Sequence, residues 1–394
     1  MRVGIDAVAV AVPESYLELA DLARARSVPE AKYLEGLGVQ RMSIAGPHED
    51  PVALAANAAR RLFATSGAEA SRIGLCVVGT ETGVDHSKPI AAFLHRLLGL
   101  PQRCRVYETK HACFGGTAGV LTAVDWIASG SARGKSALVV CTDIARYELG
   151  SAGEPTQGAG GVALLLSESP RLLELEPGAS GSFSRDVDDF WRPLHRKEAL
   201  VDGQLSVQCY LDALAGAYAA FREVAPGAQL SRRCYHVPYG KMARKAHRHV
   251  LALEGRSEAE ADASFAQEVA PSLRLPAQVG NIYTGSLWLS LASLLEAEAA
   301  TLEGQRIGLF SYGSGCAAEF FAGTVARGAG AFARSLRLSE PLERRRRLTV
   351  TEYEAIRRGD ADADARPAES GRYGSVAYLG TRDDKRQYQA AVAR

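Results

Sequence analysis

Short apolar runs rich in β-branched residues alternate with helical patterns along this chain, and that alternation limits the folds open to it more than any other feature. Ile73 to Val78, Arg105 to Tyr107, Ala137 to Cys141 and Val162 to Leu166 read as strands with helices between them. Arg233 to Val237 and Arg306 to Ser311 read as strands again, and Leu287 to Ala300 as a long helix. Such alternation predicts an α/β fold whose helices cover the faces of a sheet. A chain of 394 residues has ample apolar material for two such units. The economical division is two α/β halves, residues 1–170 and 171–394.

The charge balance, 46 basic against 45 acidic residues, provides no whole-chain attraction to nucleic acid or to an anionic membrane surface. The apolar opening from Val3 is interrupted by Asp6 and closed by Pro13, far short of a membrane span, so it reads as a buried strand. Seven cysteines without short paired spacing argue against a disulfide framework and a metal site, and for a reducing cytoplasm. Gly158-Ala-Gly-Gly161 precedes a strand and lacks the spacing of a dinucleotide fingerprint, so no nucleotide cofactor is expected there. Gly255 to Ala270 reads as a solvated helix and Arg344 to Arg347 as a solvated basic turn. Arg357 to Gly371 reads as a surface excursion before a strand from Tyr373 to Leu379.

Cys113 is the candidate nucleophile. Gly115 and Gly116 follow it, and Val120, Leu121, Val124 and Ile127 recur at helical spacing up to a Ser129-Gly130 stop, so the thiol stands at the mouth of a helix. Backbone N–H groups and the dipole at such an end are expected to favour thiolate and to hold an oxyanion. The strand through Val78 leads into Gly79-Thr-Glu81, making Glu81 a candidate general base in competition with Asp85 and His86. His236 closes another strand, where a neutral or protonated imidazole can donate to a ketone oxygen. Lys241 and Lys245 lie four apart on one helical face and suit a phosphate-bearing ligand such as coenzyme A. Asn281 can orient a carbonyl, and Gly313 to Gly315 can bring backbone N–H groups close to a thioester oxygen.

Seven blocks in order resemble the hydroxymethylglutaryl-CoA synthase family of the thiolase superfamily, in its bacterial form. They are Gly79-Thr-Glu-Thr-Gly-Val-Asp-His-Ser-Lys88, His111-Ala-Cys-Phe-Gly-Gly-Thr117, Gly153-Glu-Pro-Thr-Gln-Gly-Ala-Gly160, Asp189-Phe-Trp-Arg-Pro193, His236-Val-Pro-Tyr239, Gly280-Asn-Ile-Tyr-Thr-Gly-Ser286 and Tyr312-Gly-Ser-Gly315. The resemblance implies a five-layered αβαβα thiolase-like fold of two pseudo-symmetric halves, usually dimeric. It implies Cys113 as nucleophile, Glu81 as general acid/base and His236 as the group that engages the acetoacetyl ketone. It further implies ligand contacts at Tyr147, Thr156, Ser206, Lys241, Lys245, Asn281 and Ser314, with acetyl-CoA and acetoacetyl-CoA as substrates and no metal or cofactor. At position 114, Phe stands where many members carry Tyr, a change expected to alter packing beside the thiol without loss of chemistry.

The same fold hosts synthases that add a β-branch to a polyketide from an acetyl-carrier protein, and Thr109-Lys-His111 and Ala246-His-Arg248 have some of that character. Ala11-Val-Pro-Glu-Ser-Tyr16 and Asp189 to Pro193 look more like the CoA-dependent enzymes. A cysteine hydrolase would leave Glu81, Lys241 and Lys245 without a purpose, and a silent scaffold has no reason to keep Cys113, Glu81 and His236 together.

Overall fold

The structure is a computed structural model that describes residues 2–359 and 374–390. Nine strands form one large sheet in the spatial order Arg232–Tyr235, Arg306–Gly313, Ala317–Val325, Leu173–Ser184, Gly4–Ala11, Ala159–Ser167, Ser136–Ile144, Ile73–Gly79 and Arg105–Thr109. Every strand named from the sequence above that lies within the described residues is present, and the long helix runs Ser286–Leu302. His236 lies just past its strand rather than inside it, although its N–H still bonds to the Phe310 carbonyl at 2.7 Å.

These runs lack a clean polar alternation because the sheet is buried on both faces. Along Gly4–Ala11, Val8 and Val10 enter one core while Ala7 and Ala9 enter another. Leu75 and Val77 alternate with Cys76 and Val78 in the same way, as do Leu164 and Leu166 with Ala163 and Leu165. The layers follow from this alternation. Helices Pro51–Ser66 and Ile90–Leu97 cover one outer face of the N-terminal strands. Helices Gly115–Ala128 and Ser286–Leu302 fill the middle, packed against strands of both halves. Helices Gly203–Val224 and Gly240–Leu253 cover Tyr235, Phe310 and Phe320 on the far side. The result is the expected five-layered αβαβα arrangement. The strands of the two halves are continuous, because Gly4 and Ile5 pair with Glu174 and Leu173.

Two parallel sets of strands point their carboxyl ends at one region. Ile73–Gly79 runs parallel to Arg105–Thr109 and Ser136–Ile144, so the segments holding Glu81, Cys113 and Asp143 leave the sheet along one edge. Arg232–Tyr235 runs parallel to Arg306–Gly313, which does the same for His236 and Ser314.

The basic cluster is more structured than a solvated turn. Arg344, Arg346 and Arg347 pair with Glu340, Glu352 and Asp21, while Arg345 is buried against Ser43 and the Tyr16 ring. Arg357 belongs to the helix Val350–Gly359 instead of a loop, and the rest of the expected excursion, with Tyr373, lies outside the described residues. The final hairpin strand begins at Ala377.

Candidate active site

Cys113 is presented by a tight turn. Ala112 takes a left-handed φ of 40°, the Phe114 N–H bonds to the His111 carbonyl at 3.0 Å, and the Gly115 N–H bonds to the Ala112 carbonyl at 3.2 Å. The helix begins at Gly115, as its residue pattern predicts. Close packing then sinks the turn into the sheet: a Cβ on Gly116 would lie 2.4 Å from Cys141 Sγ and 2.6 Å from the Thr284 carbonyl oxygen. Only glycine allows helix, strand and the Thr284 segment to meet this closely.

The Cys113 thiol donates to Glu81 Oε1 at 3.2 Å. Burial first, then the charge of Asp143, pushes the Glu81 carboxyl up to about 8, with the thiol contact and the Arg192 charge drawing it back. Burial and the adjacent Glu81 hold the Cys113 thiol well above the ordinary cysteine range. The expected thiolate is therefore not the resting form. Two N–H groups at the helix mouth are consumed within the turn, and desolvation beside a carboxyl outweighs what remains of the dipole. Asp85 and His86 are exposed, and Asp85 caps its own loop through the Ser87 and Lys88 N–H groups, so of the three candidates Glu81 is the one in contact with the thiol.

Asp143, which sequence reasoning did not single out, holds this loop. Its Oδ1 accepts from the Glu81 and Thr82 N–H groups at 2.9 and 3.0 Å and from the Thr80 and Thr82 hydroxyls, while Oδ2 accepts from the Thr284 N–H and hydroxyl. The signal was present in a strand that runs apolar through Cys141 and then turns polar at Thr142-Asp143 while staying fully buried. Replacing Asp143 by Asn puts an NH2 against these donors. Since each buried donor left unpaired costs about 1–3 kcal/mol, Asp143→Asn is expected to melt several degrees lower and to acylate Cys113 more slowly. Calorimetry and intact-mass kinetics check this, and an unchanged melting temperature contradicts it.

The second half closes the site. His236 is 3 % exposed, its ring tilts against Tyr210, and its carbonyl accepts from the Tyr210 hydroxyl at 2.8 Å. Burial lowers the imidazole to about 3, so it works as a neutral donor or acceptor, which decides between the two forms the sequence left open. Asn281 Oδ1 accepts from the Tyr283 N–H at 2.9 Å and the Ser286 hydroxyl at 2.8 Å, turning Nδ2 away from them as a donor. The Asn281 N–H bonds to the Thr156 carbonyl at 3.0 Å. Tyr147 and Tyr283 flank Phe190 edge-on, and burial together with nearby Glu81 and Cys113 holds both phenols far above their usual range. Phe190 and Tyr283 are further residues of the site that only the tertiary arrangement reveals.

Asp189 holds the Ser314 hydroxyl at 2.9 Å, the Gly315 N–H at 3.1 Å and the Tyr312 hydroxyl at 2.7 Å. The Gly315 N–H is thus spent and Gly313 is paired with Ala317 in the sheet, which leaves the Ser314 N–H as the donor this segment can offer a thioester oxygen. Ser206 does not touch the Cys113 turn through any bond seen here. It sits on the first turn of its helix, capped by Asp202, whose N–H reaches the Asp189 carbonyl at 3.0 Å. Lys241 is exposed and Lys245 half-buried on the helix that follows His236, one connection outward from the imidazole.

Family models for the N-terminal and C-terminal parts of hydroxymethylglutaryl-coenzyme A synthase match residues 1–170 and, in two overlapping pieces, 173–264 and 252–365. The chain belongs to the hydroxymethylglutaryl-CoA synthase family. It is an acyl-transferring condensing enzyme with a thiolase-like fold. A hydroxymethylglutaryl-CoA synthase of Enterococcus faecalis is 39% identical over 367 residues, covering 92% of this chain and 94% of the relative. The polyketide biosynthesis 3-hydroxy-3-methylglutaryl-ACP synthase PksG of Bacillus subtilis is 35% identical over 372 residues, covering 90% and 88%. A solved structure described as MvaS in complex with 3-hydroxy-3-methylglutaryl coenzyme A superposes with a TM-score of 0.94 at 51% identity, covering 99% of each chain. Phe114, the departure noted beside Cys113, packs edge-on to His111 with ring centroids 6.3 Å apart. Among the described residues no helix is long and apolar enough to cross a membrane, and no group of three or more His, Cys, Asp or Glu could hold a metal ion.

Proposed function

We propose that this chain condenses acetyl-CoA with acetoacetyl-CoA, with residues 1–170 supplying Cys113 and Glu81 and residues 171–394 supplying His236 and Asn281. The half-buried 3.2 Å contact between the Cys113 thiol and a Glu81 carboxyl raised to about 8 carries this reading. Cys113 gives up its proton and attacks the acetyl carbonyl, and CoA leaves as the thiol. Glu81 then removes a proton from the methyl of the acetyl thioester, while N–H groups of the Cys113 turn and the Ser314 segment hold the enolate oxygen. The enolate carbon bonds to the ketone carbon of acetoacetyl-CoA. His236 and Asn281 hold that ketone oxygen, which takes up a proton as it becomes a hydroxyl. Water finally cleaves the thioester to release hydroxymethylglutaryl-CoA and regenerate Cys113.

Tyr147 and Thr156 line the acyl end, and Ser206, Lys241 and Lys245 serve the long CoA arm farther out. Lys241→Ala and Lys245→Ala are expected to raise KM for the CoA substrates about three- to tenfold with little change in kcat, as loss of uniform binding does. Steady-state kinetics test this, and an unchanged KM in both variants removes the phosphate-contact role. The working unit is read as a homodimer, and seven free thiols suit a reducing cytoplasm.

The alternative, a carrier-protein-dependent synthase, draws support from the PksG relative. The mass of the product formed from acetoacetyl-CoA with acetyl-CoA or with an acetyl-carrier protein separates the two. Efficient turnover of acetyl-CoA supports the proposal, and turnover of the carrier-bound donor alone overturns it.

A further inference from the structure

We infer that His111 is a positioning residue whose ring fixes, by its bulk, the separation between the Ser314 segment and the Cys113 thiol. The inference rests on the reading above that N–H groups of the Ser314 segment serve the Cys113 thioester.

His111 sits in the nucleophile turn yet faces the other half of the molecule. A Cβ on Gly313 would lie 2.4 Å from the His111 carbonyl oxygen, and one on Gly315 would lie 3.2 Å from His111 Nε2. The main-chain carbonyl of His111 thus lies against Gly313 and its ring against Gly315, one on each side of Ser314. Phe114 braces the imidazole with its ring edge-on, at an interplanar angle of 86°. From another direction Asp189 takes the Ser314 hydroxyl and the Gly315 N–H. Ser314 is thus held by a carboxylate while a ring limits how closely its segment approaches the thiol.

Bulk, and not hydrogen bonding, is the property in use. Among the described residues no group hydrogen-bonds to the buried His111 Nε2. A buried polar atom left unpaired costs about 1–3 kcal/mol, a cost that a phenyl ring in the same space would not carry. Position matters because an oxyanion donor works only over a range of about 2.7–3.1 Å, and a misplacement of about 1 Å can cost about 10²-fold in rate.

The test compares the parent enzyme with His111→Ala and His111→Phe, each normalised to active sites by intact-mass counting of acetyl-Cys113. His111→Ala is expected to lower kcat for condensation about 10- to 100-fold with KM within about twofold. His111→Phe is expected to recover to within about threefold of the parent and to melt no lower, since it restores the ring without the orphaned nitrogen. The inference is overturned if His111→Ala keeps the parent kcat, if KM moves instead of kcat, or if His111→Phe is as impaired as His111→Ala. A parent that forms no acetyl-Cys113 sinks the underlying reading and this one together, whereas an active parent with an unimpaired His111→Ala sinks this one alone.

Discussion

Glu81→Ala enzyme given acetyl-CoA is expected to accumulate acetyl-Cys113 while its condensation rate falls by about 10³-fold, the scale of a lost general base. Both halves of that expectation come from the same contact. Glu81 accepts from the Cys113 thiol, and its charge helps to hold that thiol in the protonated state. Removing it leaves burial as the main barrier to ionisation, so acetyl transfer continues. The acetyl methyl then faces no carboxylate, because Asp85 is exposed and Asp143 is engaged by the Thr80, Thr82 and Thr284 hydroxyls and three backbone N–H groups. Cys113→Ala should carry no acetyl group at all. Intact-mass spectra with a parallel assay of condensation read both variants. An acetylated Cys113→Ala protein moves the nucleophile elsewhere, and a Glu81→Ala enzyme that condenses normally moves the base.

The second large effect is on pH, where activity and stability should run in opposite directions. As the proposed base, Glu81 has to be ionised to take the methyl proton, and burial and Asp143 raise it to about 8. The kcat/KM for condensation is therefore expected to rise through about pH 8 and to level off about one unit above it, with the midpoint belonging to the coupled Glu81 and Cys113 pair. Stability follows the opposite sign. The folded carboxyl is raised above its ordinary value of 4.5 by burial and by Asp143. Its neutral form is thus favoured in the fold, and that contribution, full below pH 4.5, is lost as pH rises toward 8. Glu81→Gln avoids the loss. A tenfold change in an ionisation constant corresponds to about 1.4 kcal/mol, so the melting temperature of Glu81→Gln should pull ahead of the parent by several degrees between pH 5 and pH 8. A flat activity profile over that range, or a gap in melting temperature that does not widen, would contradict an elevated Glu81.

Much of this was legible in the residues. The strand and helix runs could be read because a doubly covered strand must be apolar on both faces, which leaves continuous runs such as Val162 to Leu166. Cys113, Glu81, His236 and Asn281 stood out because reactive or amide side chains at strand and helix boundaries carry local signals. Asp143, Phe190 and Tyr283 did not, since an aspartate at the end of a strand or an aromatic in a two-residue strand or a single helical turn has no local pattern separating structure from site. The ionisation of Cys113 was read with the wrong sign because a helix mouth can be seen in sequence and a neighbouring carboxyl with its burial cannot.

The sequence by itself determined the layered α/β architecture, the family and the reactive residue types, because periodicity, glycine positions and ordered motifs are local properties of the chain. Only the tertiary structure decided which carboxyl meets the thiol, that the His236 imidazole stays neutral, and that His111 stands against the Ser314 segment. Those outcomes depend on distance and desolvation between segments far apart in the chain, and both exist only once the two halves have packed around the Gly115–Ala128 and Ser286–Leu302 helices.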